Sequence, residues 1–247
     1  MTNEILGDIM SEVEEKEYLI MRYEIFGDTL PAVTIHLENG ESIYTQSGGM
    51  TWMSSDIQME TNMKGGLMKG LGRLLTGESM FMATYTAASS GQSITLASSF
   101  PGHIIDLNLS SKSFIAQKNA FLCAEPSVEL KTYVTPGLKS GFFGGEGFLM
   151  QELCGSGYVF LEVDGSVKEL DLAPGEIIKV QTGNVAAFES TVKYSAEMVK
   201  GFSNILFGGE GLFLSTVEGP GKVYLQTMTA PSFAQRIIPF LPKADSN

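Results

Sequence analysis

The chain has 247 residues, a formal net charge of −12 and a sequence pI near 4.6. Hydrophobic residues make up 43% of it and charged residues 18%, a balance that excludes an intrinsically disordered chain. The acidity excludes DNA as a partner and argues against RNA, because phosphate binding requires clustered Lys and Arg. The 28 glycines favour many chain reversals, which are typical of β proteins.

Residues 1–17 are expected to form a flexible or helical N-terminus. Their acidic side chains, from Glu4 to Glu17, are the opposite of the basic start of a secretory signal. No apolar run approaches the ~18 residues that a membrane span requires. Cys123 and Cys154 lack metal-binding spacing and are expected to be buried free thiols. We therefore expect a cytoplasmic protein.

From residue 18 onward, the sequence predicts short strands arranged in repeating units. Strands with alternating polarity, separated by Gly, Pro, Asn and Ser at about ten-residue intervals, are typical of a β-sandwich or barrel. A unit of ~65 residues is small for an independent core, so the units should pack on one another. The predicted segments are 18–100, 101–172 and 173–232, followed by a C-terminal tail at 233–247.

A Gly-Glu motif occurs once in each unit. The copies are Gly77-Glu78, Gly145-Glu146 and Gly209-Glu210. We expect each glutamate to accept hydrogen bonds from its glycine loop, and a repeated ligand or calcium contact is the lesser alternative. An apolar strand follows each copy and leads to Gly91, Gly157 or Gly221, which predicts a hairpin because glycine supplies the positive φ of a tight turn.

A second motif ends on a glutamine, and its copies are Gln46, Gln117 and Gln181. Their spacings of 71 and 64 residues run in step with the glutamate spacings of 68 and 64. An amide both donates and accepts hydrogen bonds, so each glutamine is expected to cap a loop. Two motifs with one period predict a triplication.

The linker before each Gly-Glu motif combines lysine, glycine and large apolar residues. Two interpretations stay open: these side chains seal the open end of a sandwich, or they contact another subunit. Lipid contact is the lesser possibility, because the acidic chain opposes anionic headgroups. The first linker, 63–75, is also a helical candidate. The candidate contact residues are Leu74, Leu75, Phe142, Phe143, Phe202 and Phe207.

These motifs, strongest at 135–148 and 198–213, resemble a family named after a fungal factor that affects altered inheritance of mitochondria. The resemblance covers roughly residues 18–232, although Thr76-Gly77-Glu78-Ser79 lacks the doubled glycine. It implies small β-domains similar to the tryptophan RNA-binding attenuation protein, of the double-stranded β-helix type, which assemble into rings. Three units in each of three chains would then form one ring. The family has no established catalytic residues to transfer.

No catalytic, cofactor or metal site is predicted. His36 and His103 lie in different units without ligand partners at metal-binding spacing, and no nucleotide or hydrolase motif occurs. Two alternatives stay open: an RNA- or small-ligand-binding β-ring, and a hydrolase whose acidic cleft would use Glu78, Glu146 and Glu210. Neither has a second catalytic group or a basic groove in the sequence.

We therefore expect an all-β protein of three tandem small β-sandwich repeats, without enzymatic activity, that acts as a ring-forming scaffold or interaction protein. A membrane- or stress-related role for this scaffold stays open. Three sandwiches in a row leave unpaired strand edges at both ends of the chain. Because a head-to-tail contact either closes or propagates, a closed ring removes those edges. The expected partner is the protein itself, as a homotrimer, with a further protein partner left open.

Overall fold

The computed structural model describes residues 21–46, 49–62, 82–136, 149–198 and 213–241. These residues form nineteen strands, one α-helix and short 3₁₀ turns, so the predicted all-β class is confirmed. All of the strand pairs are antiparallel. The strands are β1 Arg22–Phe26, β2 Ala32–Leu37, β3 Ser42–Gln46, β4 Met50–Met53, β5 Ile57–Asn62, β6 Met82–Ala87, β7 Gln92–Ala97, β8 Gly102–Asn108, β9 Phe114–Gln117, β10 Phe121–Ala124, β11 Val128–Tyr133, β12 Met150–Gly155, β13 Tyr158–Asp164, β14 Val167–Leu172, β15 Ile177–Gln181, β16 Val185–Glu189, β17 Lys193–Met198, β18 Phe213–Glu218 and β19 Gly221–Gln226.

The strands form four sheets. Sheet A has the order β1-β2-β7-β4, and sheet B has the order β5-β6-β3-β10-β13-β8. Sheet C has the order β11-β12-β9-β16-β19-β14, and sheet D has the order β15-β18-β17. Adding six to each strand number of sheet B gives sheet C. The same step of six relates β2-β7-β4 of sheet A to β8-β13-β10 of sheet B. It also relates β11-β12-β9 of sheet C to β17-β18-β15, which is sheet D in reverse order.

The glycines expected to make hairpins do make tight turns. Gly91, Gly157 and Gly221 have φ of +76°, +101° and +135°, values that favour glycine over any L side chain. The hairpin prediction itself is wrong, because the strands on either side of each turn lie in different sheets. A tight turn and alternating polarity specify a reversal, but only the tertiary structure decides which strand becomes the partner.

The core consists of the inward-facing residues of these sheets. Three clusters of buried side chains follow one another along the chain, each built from strands of adjacent sheets. Phe160 and Phe188 are fully buried, and the rings of Phe188 and Tyr194 stack with their centroids 4.9 Å apart. Fully buried aromatic rings contribute most of the apolar area that stabilises such a core.

One element was not predicted from the sequence. Helix α1 spans Ala230–Ile237, where Thr229 caps its first turn by accepting a hydrogen bond from the Ser232 backbone N–H. The Asp164 carboxylate accepts a second hydrogen bond from the Ala230 N–H at 2.6 Å. No residue of α1 is buried.

Several predicted features lie outside the described residues. They are the helical candidates at 3–17 and 63–75, the Gly-Glu motifs Gly77-Glu78, Gly145-Glu146 and Gly209-Glu210, and the apolar linker residues Leu74, Leu75, Phe142, Phe143, Phe202 and Phe207.

Candidate functional site: the open strand edges

Two sheets end in strands whose counterparts elsewhere in the chain are paired on both sides. β4 is the outer strand of sheet A and β15 is the outer strand of sheet D. By the step of six in strand number, β4 is equivalent to β10, which pairs with β3. By a step of twelve it is equivalent to β16, which pairs with β9. In the same way, β15 is equivalent to β9 and to β3, whose strand numbers are lower by six and by twelve. Among the described residues, the junction between these two strand types therefore occurs twice, and one half at each end has no described partner strand.

A bulge fixes the register of the two internal junctions. Where β10 pairs with β13, the register shifts between Phe121 and Cys123, and Cys123 then lies opposite Thr45 of β3. Where β16 pairs with β19, the shift lies between Val185 and Ala187, and Ala187 lies opposite Ala116 of β9. In both junctions the residue that follows the bulge lies opposite the residue that precedes the glutamine of the partner strand.

The same two features occur at the open edges. β4 pairs with β7 and shifts register between Met50 and Trp52, so Trp52 is the residue after the bulge. β15 ends on Gln181, so Val180 is the residue before the glutamine. By this equivalence, Trp52 of one copy would face Val180 of another. β-Bulges are specific backbone features, and their recurrence at matching positions makes the equivalence precise to the residue.

Burial separates the internal junctions from the open edges. Cys123 and Ala187 are both 0% exposed, whereas the equivalent Trp52 is 54% exposed. Thr45 and Ala116 are likewise buried, whereas the equivalent Val180 is only half-buried. A large aromatic side chain exposed on an unpaired strand is a recognised feature of an association surface.

The three predicted glutamines have different environments. Gln117 is buried, and its Nε2 donates to the Gly183 oxygen at 3.0 Å and to the Val185 oxygen at 2.7 Å, across the junction with β16. Gln181 is exposed at the open edge. Gln46 is half-buried, and among the described residues its Nε2 has no hydrogen-bond partner. Among the described residues, Gln117 makes the loop-capping bonds that the motif predicted.

The remaining polar clusters contain no paired catalytic groups in the described parts of the chain. A cavity of about 520 Å³ lies between the β8–β9 and β16–β17 turns, and its one carboxylate, Glu189, forms a 2.6 Å ion pair with Lys112. His36 is exposed, and His103 Nδ1 lies 2.7 Å from the Gly165 oxygen. No group of three potential metal ligands occurs within the described residues.

The two cysteines differ from each other. Both are free thiols, and Cys123 is fully buried, which raises the pKa of its thiol well above the usual value. Cys154 is only half-buried, because β12 presents it toward the surface, so the prediction of a second buried thiol is wrong. Its Sγ lies 3.8 Å from the Glu129 oxygen.

Within the described ranges, no helix is long and apolar enough to cross a membrane.

Sequence reasoning missed Trp52 and Val180 as candidate functional residues. Both belong to segments that the glutamine motif had already brought into alignment, next to Gln46 and Gln181 respectively. A comparison of residue size would have detected the difference, because the sole tryptophan stands where the later copies carry Cys123 and Ala187.

Comparison with known proteins agrees with this architecture. A protein of Streptococcus pyogenes that is named as uncharacterised is 29% identical over 225 residues, which cover 87% of this chain and 89% of that protein. The crystal structure of another Streptococcus pyogenes protein matches with a TM-score of 0.73 and 28% identity, covering 90% of this chain and all of that one. The family model described as Mitochondrial biogenesis AIM24 matches residues 23–228. The chain therefore belongs to the AIM24 family.

Proposed function

We propose that this protein is a non-enzymatic cytoplasmic scaffold whose working form is a closed ring of three copies, joined by pairing β15 of one copy with β4 of the next. The observation that carries the proposal is the exposure of Trp52 at a position whose two equivalents are fully buried inside the chain. The ring would bury it in the same way. Three tandem repeats per chain, which the step of six in strand number supports, would make nine units per ring.

The predicted junction has a defined register. Trp52 would lie opposite Val180, and Met53 would lie opposite Lys179, as Ala187 and Phe188 lie opposite Ala116 and Ile115. The charge of Lys179 does not oppose this pairing, because its Nζ already donates to Thr216 Oγ1 at 2.6 Å within sheet D.

Closure into a ring follows from the nature of the contact. The two open edges are different surfaces, so their contact is head-to-tail and must either close or form a fibre. The net charge of −12 per chain disfavours uncontrolled growth and keeps finished rings apart. The resemblance to ring-forming β-domains supports three as the number of copies.

Among the described residues, the cavity between the β8–β9 and β16–β17 turns offers no pair of catalytic groups. The one carboxylate of the 520 Å³ cavity is held by Lys112, whereas acid–base catalysis needs two groups with separated pKa values. The free thiols Cys123 and Cys154 support a reducing compartment such as the cytoplasm.

Light scattering tests the assembly. The purified protein should give a mass of about three times 26.7 kDa. Trp52→Glu should give a monomer, because pairing would bury an unpaired carboxylate. Met59→Glu is the matched control: Met59 is 53% exposed on β5, away from both open edges, and this variant should assemble like the parent. A monomeric parent at tens of micromolar would refute the proposal, and so would unchanged assembly of Trp52→Glu.

A further inference from the structure

Exposed apolar side chains collect at one end of the sheets. We call it the apolar end: it is the end at which β1 finishes at Phe26, β11 at Tyr133 and β19 at Gln226. Of the twelve large apolar residues that are exposed in the described part of the chain, nine lie at this end. They are Phe26, Leu30, Val134, Leu149, Phe233, Ile237, Ile238, Phe240 and Leu241.

Strand pairing places these residues together. In sheet A, Phe26 pairs with Ala32 at the start of β2. In sheet C, Tyr133 pairs with Met150, so Val134 and Leu149 both leave the sheet at this end. Because every pair is antiparallel, the connections after β1, β7, β11, β13 and β19 all emerge on the same side of the molecule.

Helix α1 and the 3₁₀ turn after it carry exposed apolar residues at the apolar end. Phe233 and Ile237 are four residues apart and share one helix face, and the 3₁₀ turn after them exposes Ile238 at 61% and Phe240 at 86%. An eight-residue helix is marginal by itself in water, so a covered apolar face would stabilise it. Phe100 makes an edge-to-face contact with Phe233 at 5.2 Å, which fixes where the helix lies.

Charge is distributed in the opposite sense. The turns at the other end carry seven carboxylates: Glu38, Glu41, Asp56, Glu125, Glu176, Glu189 and Glu218. From Thr227 to Leu241, the part that follows β19 at the apolar end, the chain contains no acid and one cation, Arg236. Two of the carboxylates at the apolar end are held by backbone N–H groups, because Asp164 accepts from Ala230 and Glu162 accepts from Ser99. Asp28, in the β1–β2 turn, is exposed. Further carboxylates lie on strands within three residues of this end: Glu60, Glu152 and Glu197.

We propose that the apolar end docks on the interfacial region of a lipid bilayer. The apolar residues project from separate turns and one short helix over the width of several sheets, which fits a plane better than a protein helix lying in a groove. The seven carboxylates of the far-end turns favour an orientation in which that end stays in water. This inference names a partner for the scaffold, and it rests on the proposed ring for its avidity, since a ring would turn the apolar end of each copy to one face.

Vesicle flotation of the full-length protein tests the inference. The parent should co-float with phosphatidylcholine vesicles and should bind more weakly when phosphatidylserine is added, because the chain carries a charge of −12. The double variant Ile238→Ser with Phe240→Ser should have a partition coefficient for the vesicles that is at least about tenfold lower, since both side chains supply the inserted apolar area. Met59→Ser, which alters an exposed apolar residue in the middle of β5, should float like the parent.

Failure here is distinguishable from failure of the ring. Absence of the parent from the vesicle fraction with both lipid compositions would overturn membrane docking, whatever its mass in solution. Equal flotation of the parent and the Ile238/Phe240 variant would also overturn it. A parent that floats but is monomeric by light scattering would refute the ring alone. Trp52→Glu should bind vesicles more weakly than the parent, because single copies lose the multivalent contact.

Discussion

The side chain of Gln117 bonds to the backbone oxygen of Val185, 68 residues further along the chain, at 2.7 Å. The same Nε2 also donates to the Gly183 oxygen, which accepts a further hydrogen bond from Gln226 at 2.9 Å. These bonds connect β9 to the start of β16 at the point where one set of six strands joins the next. A buried amide with its donors satisfied specifies this junction more strictly than apolar packing alone.

Replacing Gln117 with Leu should lower the free energy of unfolding by about 1–3 kcal/mol, because the Val185 oxygen loses the Gln117 donor and the Gly183 oxygen keeps only the one from Gln226. Urea unfolding measures the change. The matched control is Gln181→Leu. Both substitutions are made separately in the non-assembling Trp52→Glu background, so that assembly does not affect either measurement. Gln181 is exposed there, so its replacement should stay within about 0.5 kcal/mol. Equal losses for both variants would show that the junction bond contributes nothing specific.

The emission of Trp52 should report assembly, because it is the sole tryptophan of the chain. Ring closure would take it from 54% exposed to buried, so emission should move to shorter wavelength as protein concentration rises. Val180→Glu keeps the tryptophan but blocks the facing strand, and its emission should remain at long wavelength throughout. The same concentration dependence in Val180→Glu and parent would contradict the predicted register.

Phe188→Ala should destabilise the protein by about 3–5 kcal/mol, because it leaves a cavity in a closely packed core. Phe188 is fully buried. Its ring stacks on Tyr194 and contacts the ring of Tyr133 edge-to-face, with the Tyr133 and Phe188 centroids 6.3 Å apart. Phe26→Ala is the control, because Phe26 is 40% exposed and should cost only about 1 kcal/mol. Thermal or urea unfolding distinguishes the two, and comparable losses would mean that burial does not decide the cost.

The two thiols should react at very different rates. A water-soluble disulfide reagent at pH 8 should label one thiol per chain quickly, because Cys154 is half-buried while burial both shields Cys123 and raises the pKa of its thiol. Absorbance of the released thiolate gives the stoichiometry. Cys154→Ser should abolish the fast phase, and denaturant should expose Cys123. Two equally fast thiols in the native parent would disprove the assigned burial.

Asp164 should make stability depend on pH. Burial raises the pKa of this carboxyl, although the bond from the Ala230 N–H lowers it in part. The folded state therefore holds the proton more tightly, so this contribution to stability is complete below the unfolded pKa and is lost as pH rises through the folded pKa. Asp164→Asn should remove the decline, so its stability relative to the parent should increase from about pH 4 to pH 7.

Urea unfolding at several pH values measures this effect. Asp28→Asn, which alters an exposed carboxylate in the β1–β2 turn, should stay within about 0.5 kcal/mol of the parent at each pH. A difference between Asp164→Asn and parent that does not change with pH would show that burial of this carboxyl has no titratable consequence.

Sequence reasoning succeeded where the physics is local. Alternating polarity along a strand, as in Ala32–Leu37, reflects one dry and one wet face, and glycines such as Gly91 mark the turns. Both signals lie within a few neighbouring residues, so they predicted the all-β class and the strand positions around Gln117. The same signals could not predict hairpins correctly, because a turn does not state which sheet the next strand joins.

The sequence by itself determined that this is an acidic, all-β chain with two motifs in one period, and its motifs carry the resemblance to the AIM24 family. Only the tertiary structure decided which copy of the glutamine motif is buried. Gln117 lies inside a junction and Gln181 lies at an open edge, although both end strands of the same type. Burial depends on the strand that comes to lie alongside, more than sixty residues away. Pairing across that distance is a property of the assembled sheets, and no local pattern encodes it.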